Sequence, residues 1–280
     1  MSVPNDRYLP YETEIVERIQ ETPTIFTLRL RFTDPQLQKN YSFQPGQFNM
    51  LYLYGVGEVA ISIVSDPENN TLYDHAIRMV GRVTKGLAKL KQGDYLGVRG
   101  PFGRGWPLQK TQQKDVIIIT GGLGCAPVVS AINYIMQRRA QYNRLIIMQS
   151  VKHSDDLIFR KRYEQWQQVP NTEVYLAADK ASKGWPWQLG RVTDMIQALQ
   201  FDAENTLAML CGPEIMMQVA AQELIKKQFA EDHIYLGMER NMECAIGHCG
   251  HCQFGGLFIC KNGPVLAYSA LKELLGTAGF

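Results

Sequence analysis

Apolar residues recur along this chain at two rhythms, and the change of rhythm divides it. From Ile15 to about Gly100 the period is two: Phe26, Leu28, Leu30 and Phe32 alternate with Thr27, Arg29 and Arg31, the pattern of a strand with one buried face. Further apolar segments are punctuated by Pro45-Gly46, Gly55, Gly57, Asp66-Pro67, Asn69-Asn70 and Gly93-Asp94. Short strands at that spacing predict a small barrel or sandwich. The run Gly100-Pro101-Phe102-Gly103-Arg104-Gly105-Trp106-Pro107 closes the region as a linker or functional loop.

From Val116 strands and helices alternate. Val116–Thr120, Leu145–Met148, Val174–Ala177 and Leu207–Cys211 read as buried strands. Val128–Arg139, Leu157–Trp166 and Glu214–Phe229 read as amphipathic helices. That succession predicts a parallel sheet with helices on its faces. The last 44 residues, from Gly237, break the rhythm again, and Ser269–Leu275 can form a short helix that packs on its own domain. The expected organisation is a β-barrel domain over 1–109, an α/β parallel-sheet domain over 110–236 and a C-terminal segment over 237–280.

Composition narrows the function classes. Among 280 residues, 29 Lys and Arg face 27 Asp and Glu, a net charge of +2, which argues against a nucleic-acid-binding surface. A hydrophobic content of 45% argues against disorder. Met1-Ser2-Val3-Pro4-Asn5-Asp6 has no basic start leading into an apolar run, so no secretory signal is read. The apolar stretch from Val116 to Met136 is broken by Gly121-Gly122, Gly124 and Pro127 and reads as strand, turn and helix rather than a membrane span. The expectation is a soluble, cytoplasmic protein with no membrane insertion.

Cysteine placement carries the strongest chemical signal. Cys244, Cys249, Cys252 and Cys260 fall within 17 residues as C-x4-C-x2-C-x7-C, whereas Cys125 and Cys211 stand alone. The first three spacings are those of plant-type [2Fe–2S] sites. Four residues between the first two thiolates let a loop curl around a two-iron rhomb, and Gly247 and Gly250 permit close approach of backbone N–H groups to sulfur. A structural zinc site is the alternative, since it also uses four thiolates. His248 and His251 read as solvent-facing loop residues or hydrogen-bond donors, because four thiolates already suffice.

A second signal is a glycine-rich turn. Strand Val116–Thr120 runs into Gly121-Gly122-Leu123-Gly124-Cys125-Ala126-Pro127 and then a helix. Glycines let a backbone approach a pyrophosphate, and a helix N-terminus offers free N–H groups and a positive dipole. Pro127 stands where the full dinucleotide fingerprint has a third glycine, and a tight turn with no ligand is the alternative. The end of the next strand, Met148 to His153, lacks the acidic residue that holds an NAD ribose. Lys152 favours a 2′-phosphate while Asp155 and Asp156 follow closely, so NAD against NADP stays open. Cys211-Gly212-Pro213-Glu214 forms a second strand–turn–helix junction.

Together these junctions resemble the ferredoxin–NAD(P) reductase superfamily. The order of parts resembles its flavin- and iron–sulfur-containing electron-transfer subunits: those of dihydroorotate dehydrogenase, the B-type subunits of anaerobic sulfite reductase and the gamma subunits of soluble NAD(P)-linked [NiFe] hydrogenases. The likeness runs from about Tyr11 to Tyr268, and Met242-Glu243-Cys244 through Cys260–Val265, with its short last spacing, is most similar to the hydrogenase gamma type. The resemblance implies that the barrel binds FAD, the α/β domain NAD(P)H and the C-terminal segment a [2Fe–2S] cluster on Cys244, Cys249, Cys252 and Cys260.

It also implies flavin contacts from the strand Val59-Ala60-Ile61-Ser62. There the family's Arg-x-Tyr-Ser pattern has lost its arginine and aromatic and kept Ser62. Further contacts are implied from Ala76-Ile77-Arg78 and from Gly81-Arg82-Val83-Thr84, with Arg78 taking phosphate charge and Thr84 holding the pyrophosphate; core packing is the alternative for Ile61 and Ile77. Gly121, Gly122 and Gly124 match the nicotinamide nucleotide loop, and Cys211 and Gly212 match the segment near the nicotinamide.

The implied chemistry is consistent, because a flavin accepts a hydride from nicotinamide and releases the single electrons that a [2Fe–2S] cluster takes. No side chain is expected to act as a proton-abstracting catalyst. The expected function is an NAD(P)H-linked flavin oxidoreductase subunit serving a partner catalytic subunit, a [NiFe] hydrogenase with an iron–sulfur subunit. The alternatives are the same role with dihydroorotate dehydrogenase or sulfite reductase, a self-contained oxygenase reductase (which the short tail argues against), and a zinc-stabilised nucleotide-binding regulator without redox function.

Overall fold

A computed structural model describes residues 8–69 and 71–277. The readings made from Met1–Asp6 and from Asn70 lie outside the described residues. The chain divides into two units, Met1–Gly105 with Glu239–Pro264, and Trp106–Met238 with Val265–Phe280. No helix among the described residues is long and apolar enough to cross a membrane.

Six antiparallel strands build the first unit: β1 (Tyr11–Thr22), β2 (Ile25–Phe32), β3 (Phe48–Leu53), β4 (Gly57–Ser62), β5 (Tyr73–Arg78) and β6 (Tyr95–Phe102), in the order β4-β3-β6-β1-β2-β5. The alternation in β2 does what its period requires. Phe26, Leu28, Leu30 and Phe32 enter a core with Ile15, Leu51, Tyr73, Ile77, Leu96 and Val98. The opposite face pairs charges across strands: Arg29 bonds Glu17 and Asp74, and Arg31 bonds Glu14, with each pair directly opposed in the strand register. The sheet curls until its edges meet, where Val64 donates its amide to Asp74 (2.9 Å) and His75 Nδ1 bonds the Ser62 carbonyl (2.9 Å). Short helices α1 (Pro35–Asn40) and α2 (Arg82–Leu87) fill the connections.

The second unit alternates β7 (Asp115–Gly121), α3 (Ala126–Gln137), β8 (Leu145–His153), α4 (Arg160–Trp166), β9 (Thr172–Lys180), β10 (Gln188–Leu189), α5 (Val192–Ala198), β11 (Thr206–Cys211), α6 (Glu214–Lys226) and β12 (Ile234–Gly237). Val116 through Ile119 are fully buried, as expected of a central parallel strand covered on both faces, and this is why that segment shows no alternation. The helix expected from Leu157 starts instead at Arg160, because Phe159 sits in the left-handed region at φ 58° and ends any helical run on its N-terminal side.

After β12 the chain leaves the sheet. Glu239–Pro264 belongs with the barrel unit and holds the hairpin β13 (Gln253–Phe254) and β14 (Leu257–Phe258) and the single turn α7 (Ile259–Asn262). It then returns as β15 (Val265–Ala267), antiparallel to β12, and α8 (Tyr268–Leu271), with Leu271 and Leu275 buried. The sequence pattern groups 237–280 as one segment; in the structure the cysteine portion and the terminal portion join different units. The full sheet order is β10-β9-β8-β7-β11-β12-β15.

Candidate cluster and nucleotide sites

The four clustered cysteines form no disulfide. Positive φ at Ala245 (64°), Gly247 (72°) and Gly250 (79°) coils the loop so that its amides face sulfur. Gly247 N–H donates to Cys260 Sγ at 3.1 Å, His248 and Cys249 N–H to Cys244 Sγ at 3.3 and 3.4 Å, and Cys260 N–H to Cys252 Sγ at 3.4 Å. Burial pushes the Cys244 thiol up, but the amides of Cys249, Ile246 and His248 outweigh it and bring the thiol down to about 6. Burial and the adjacent Cys252 push Cys260 up to about 12.

Among the described residues, no three His, Cys, Asp or Glu side chains converge as they would around one ion. Four cysteines in one short segment with backbone amides aimed at sulfur are a donor set that fits a [2Fe–2S] cluster. Cys252 and Cys260 are buried while Cys249 is exposed, so the site has a solvent-facing edge. His248 and His251 lie on that edge, and His251 bonds Asn241 at 2.9 Å.

The segments matched to flavin binding lie where the barrel edges meet. Val59, Ala60, Ile61 and Ser62 are half-buried on β4. On β5, Ala76 and Ile77 are buried and Arg78 is exposed. Ile77 belongs to the barrel core, so its contribution to any ligand is backbone, while Arg78 keeps its guanidinium at the surface. The Thr84 hydroxyl accepts from the Val80 and Gly81 amides (3.1 and 2.9 Å) and donates to the Gly81 carbonyl (3.2 Å). That exhausts a hydroxyl's one donor and two acceptors, so Thr84 holds the turn before α2 and its hydroxyl has no capacity left for a phosphate. Val83 is half-buried beside it. Ser62 is fixed through its carbonyl by His75, whose other nitrogen meets Asn49 Nδ2 at 3.2 Å, and Asn49 in turn bonds Tyr41.

In the second unit, β7 is flanked by β8 on one side and β11 on the other. The connections after β7 and β11 therefore diverge, and the crevice at their carboxyl ends is the switch point where open α/β sheets take ligands. There the turn Gly121–Gly124 packs directly against the Cys211–Gly212 backbone. A Cβ on Gly124 would lie 2.4 Å from the Cys211 carbonyl oxygen, and one on Gly121 would meet the Met216 sulfur. Gly122 takes φ 56° with open space beside it. The turn Gly122–Cys125 runs directly into α3, where the Ala126 amide already donates to the Leu123 carbonyl and Pro127 has no N–H, so any amides offered to a phosphate here come from the glycine turn itself. The Cys211 thiol is buried and donates to the Gly237 carbonyl (3.5 Å), so it points into the sheet rather than away from it.

Gln149, Arg99 and Glu58 escape sequence reasoning. Gln149, buried on β8, donates to the Gly122 carbonyl at 2.9 Å and accepts from the Thr120 hydroxyl, which fixes the glycine loop from below. Arg99 on β6 bonds Glu58 on β4 and the carbonyls of Glu243 and Cys244. The only local signal for these residues is a polar side chain inside an apolar strand, and their partners lie far away in sequence.

Comparison with known proteins agrees with this geometry. Residues 118–222 match the family model described as an oxidoreductase NAD-binding domain, and residues 239–272 match the iron–sulfur cluster binding domain of dihydroorotate dehydrogenase B. The sulfhydrogenase 1 gamma subunit of Pyrococcus furiosus is 34% identical, covering 95% of this chain and 94% of its own. A probable dihydroorotate dehydrogenase B electron transfer subunit of Methanocaldococcus jannaschii is 31% identical, covering 94% and 91%. Among solved structures, an NADH-dependent reduced ferredoxin–NADP oxidoreductase superposes with a TM-score of 0.74 at 22% identity, covering 94% and 91%. A ferredoxin NADP+ reductase from Neisseria gonorrhoeae gives 0.67 at 22%, covering 83% and 94%. The structural likenesses carry the barrel and the parallel sheet, and the sequence relatives extend over the cysteine loop as well. On that nearly full-length identity, the chain belongs to the family of oxidoreductase electron-transfer subunits that includes the sulfhydrogenase gamma and dihydroorotate dehydrogenase B subunits.

Proposed function

We propose that this protein is a cytoplasmic subunit carrying FAD and a [2Fe–2S] cluster, which exchanges electrons between NAD(P)H and the catalytic subunit of a [NiFe] hydrogenase. The observation that carries this reading is the cysteine loop, with four thiols and the amides turned toward them, in one chain with glycine-rich turns at the β7–β11 switch point. When bound, the flavin supplies the conversion between a two-electron hydride and the single electrons of an iron–sulfur cluster. The chain's own residues bind and orient. Gly121, Gly122, Gly124 and Gly212 admit the dinucleotide backbone. Val59–Ser62, Ala76–Arg78 and the turn at Gly81–Thr84 hold the flavin chiefly through backbone groups and Arg78. Cys244, Cys249, Cys252 and Cys260 hold the irons, with the exposed Cys249 edge facing the electron acceptor.

Whole-length similarity to sulfhydrogenase gamma subunits and the seven-residue last gap favour a hydrogenase partner. The match of residues 239–272 to the dihydroorotate dehydrogenase B model supports a second reading, the same role beside that enzyme. An anaerobic visible spectrum of the purified chain, before and after NADH or NADPH, tests the cofactors. Flavin bands and a broad iron–sulfur absorbance that both bleach with one nucleotide are expected. A colourless protein with full zinc occupancy would replace this reading with a non-redox one. Copurification of the tagged chain with its neighbouring subunits identifies the partner, and recovery of a dihydroorotate dehydrogenase would favour the second reading.

A further inference from the structure

Arg99 is 4% exposed, and burying a guanidinium is costly unless it is paired and hydrogen-bonded. Its partners show what that burial secures. Nε and Nη2 grip the Glu58 carboxylate at 2.8 and 2.6 Å. Nη1 donates to the Cys244 carbonyl and Nη2 to the Glu243 carbonyl, both at 2.9 Å. One planar fork thus joins β6, the β4 residue next to Val59 and the first cysteine of the cluster loop, across separations of 41 and 145 residues. Lysine, a point charge on a flexible stem, does not reproduce such a fork. The ring of Phe102 packs at 5.3 Å from the guanidinium carbon. A cleft of about 330 Å³, lined by Arg99, Phe102, Ile246 and Cys260 among others, brings the same charge and the last cysteine to one cavity.

We propose that Arg99 and Glu58 are a positioning pair for the cluster, fixing the Cys244 thiolate through its own carbonyl and setting the cluster's reduction potential by a fixed charge pair whose guanidinium is buried and whose carboxylate is half-buried. The inference rests on the [2Fe–2S] reading above. Reduction adds one negative charge to a cluster. A guanidinium bonded to a ligand's carbonyl stabilises that charge, and a carboxylate on the guanidinium's far side opposes it. Screening is weak at the buried guanidinium and stronger at the half-buried carboxylate, so both effects reach the cluster and the arginine's is the larger. The two residues therefore act with opposite signs, a relation that a purely structural role would not generate.

The test is an EPR-monitored redox titration of the holo subunit, with iron content and the rate of cluster loss measured in parallel. Arg99→Gln is expected to make cluster reduction about tenfold less favourable, about 59 mV more negative for a one-electron couple. Glu58→Gln, which keeps an acceptor for the fork, is expected to move the potential the other way. Arg99→Lys keeps the charge and loses the fork, so its potential stays near wild type while cluster loss accelerates. If Arg99→Gln takes up no iron, opposite displacement in Glu58→Gln and retention in Arg99→Lys still support the pair. Reduction equilibria within twofold of wild type for Arg99→Gln and Glu58→Gln, or shifts of the same sign in both, overturn it. Absence of any iron–sulfur signal in the wild-type protein would instead remove the [2Fe–2S] reading itself, and this inference with it.

Discussion

His75 shows how one side chain ties local chemistry to stability. It is fully buried, and burial lowers its pKa from 6.5 to about 4. The Ser62 carbonyl can only accept, so Nδ1 carries the proton and Nε2 accepts from Asn49. A second proton would set two donors against each other. The folded protein therefore binds this proton only near pH 4, whereas the unfolded chain binds it from about 6.5 downward. Stability from this group is complete above the unfolded value and is lost as pH falls toward the folded one. At about 1.4 kcal/mol per pKa unit, wild type should lose about 2 kcal/mol between pH 7 and pH 5 that a His75→Gln variant does not lose. Urea unfolding of both at the two pH values measures it, and parallel losses would remove the assignment. The contrast with the cysteines is instructive. Three of the four cluster cysteines sit in one nine-residue run and could be recognised from spacing alone. The roles of His75, Gln149 and Arg99 depend on partners brought in from other strands, which no spacing records.

At the scale of elements, the strands legible in the sequence are those whose burial is uniform or strictly alternating. β2 alternates and β7 is buried on both faces, so each has a period to read. β12 and β15 have four and three residues, too few for any period, and β15 exists as a strand because the chain returns to the edge of β12 after the cysteine segment. The glycine turn after β7 was legible as a motif, but the reason for each glycine is tertiary. Gly124 faces the Cys211 and Gly212 backbone, with 2.4 Å for a Cβ, while Gly122 faces open space at φ 56°. The two positions should respond differently to alanine. Gly122→Ala incurs only the left-handed backbone cost of about 1–2 kcal/mol, visible as a lower Tm. Gly124→Ala must force β7 and β11 apart at their carboxyl ends, so it should also raise the KM for NAD(P)H about tenfold or more, the equivalent of about 1.4 kcal/mol of lost binding. Equal effects of the two substitutions on KM would show that the crevice does not bind the nucleotide.

For the molecule as a whole, the cysteine loop is a passenger in stability and a terminus in electron flow. The barrel core is made of Phe26, Leu28, Leu30, Leu51, Ile77, Val98 and their neighbours, and none of the cluster cysteines belongs to it. The second unit has its own core along β7, β8 and β11. Removing one thiolate should therefore cost the cluster and the local order of Glu239–Pro264 without unfolding either unit. Two activities should then separate. In Cys252→Ser, transfer to the partner subunit should fall by at least about a hundredfold, because changes to residues around a metal's ligands alone already cost about 10–100-fold and this change removes a ligand. Oxidation of NAD(P)H by an artificial hydride acceptor needs only the nucleotide crevice and the flavin, and should persist. Hydrogen exchange provides the structural check: faster exchange confined to 239–264, with β1–β6 still protected, places the loss in the loop. If both activities vanish while β1–β6 and β7–β12 remain protected, the cluster is required before the flavin as well as after it, and the order of electron transfer from nucleotide through flavin to cluster is wrong.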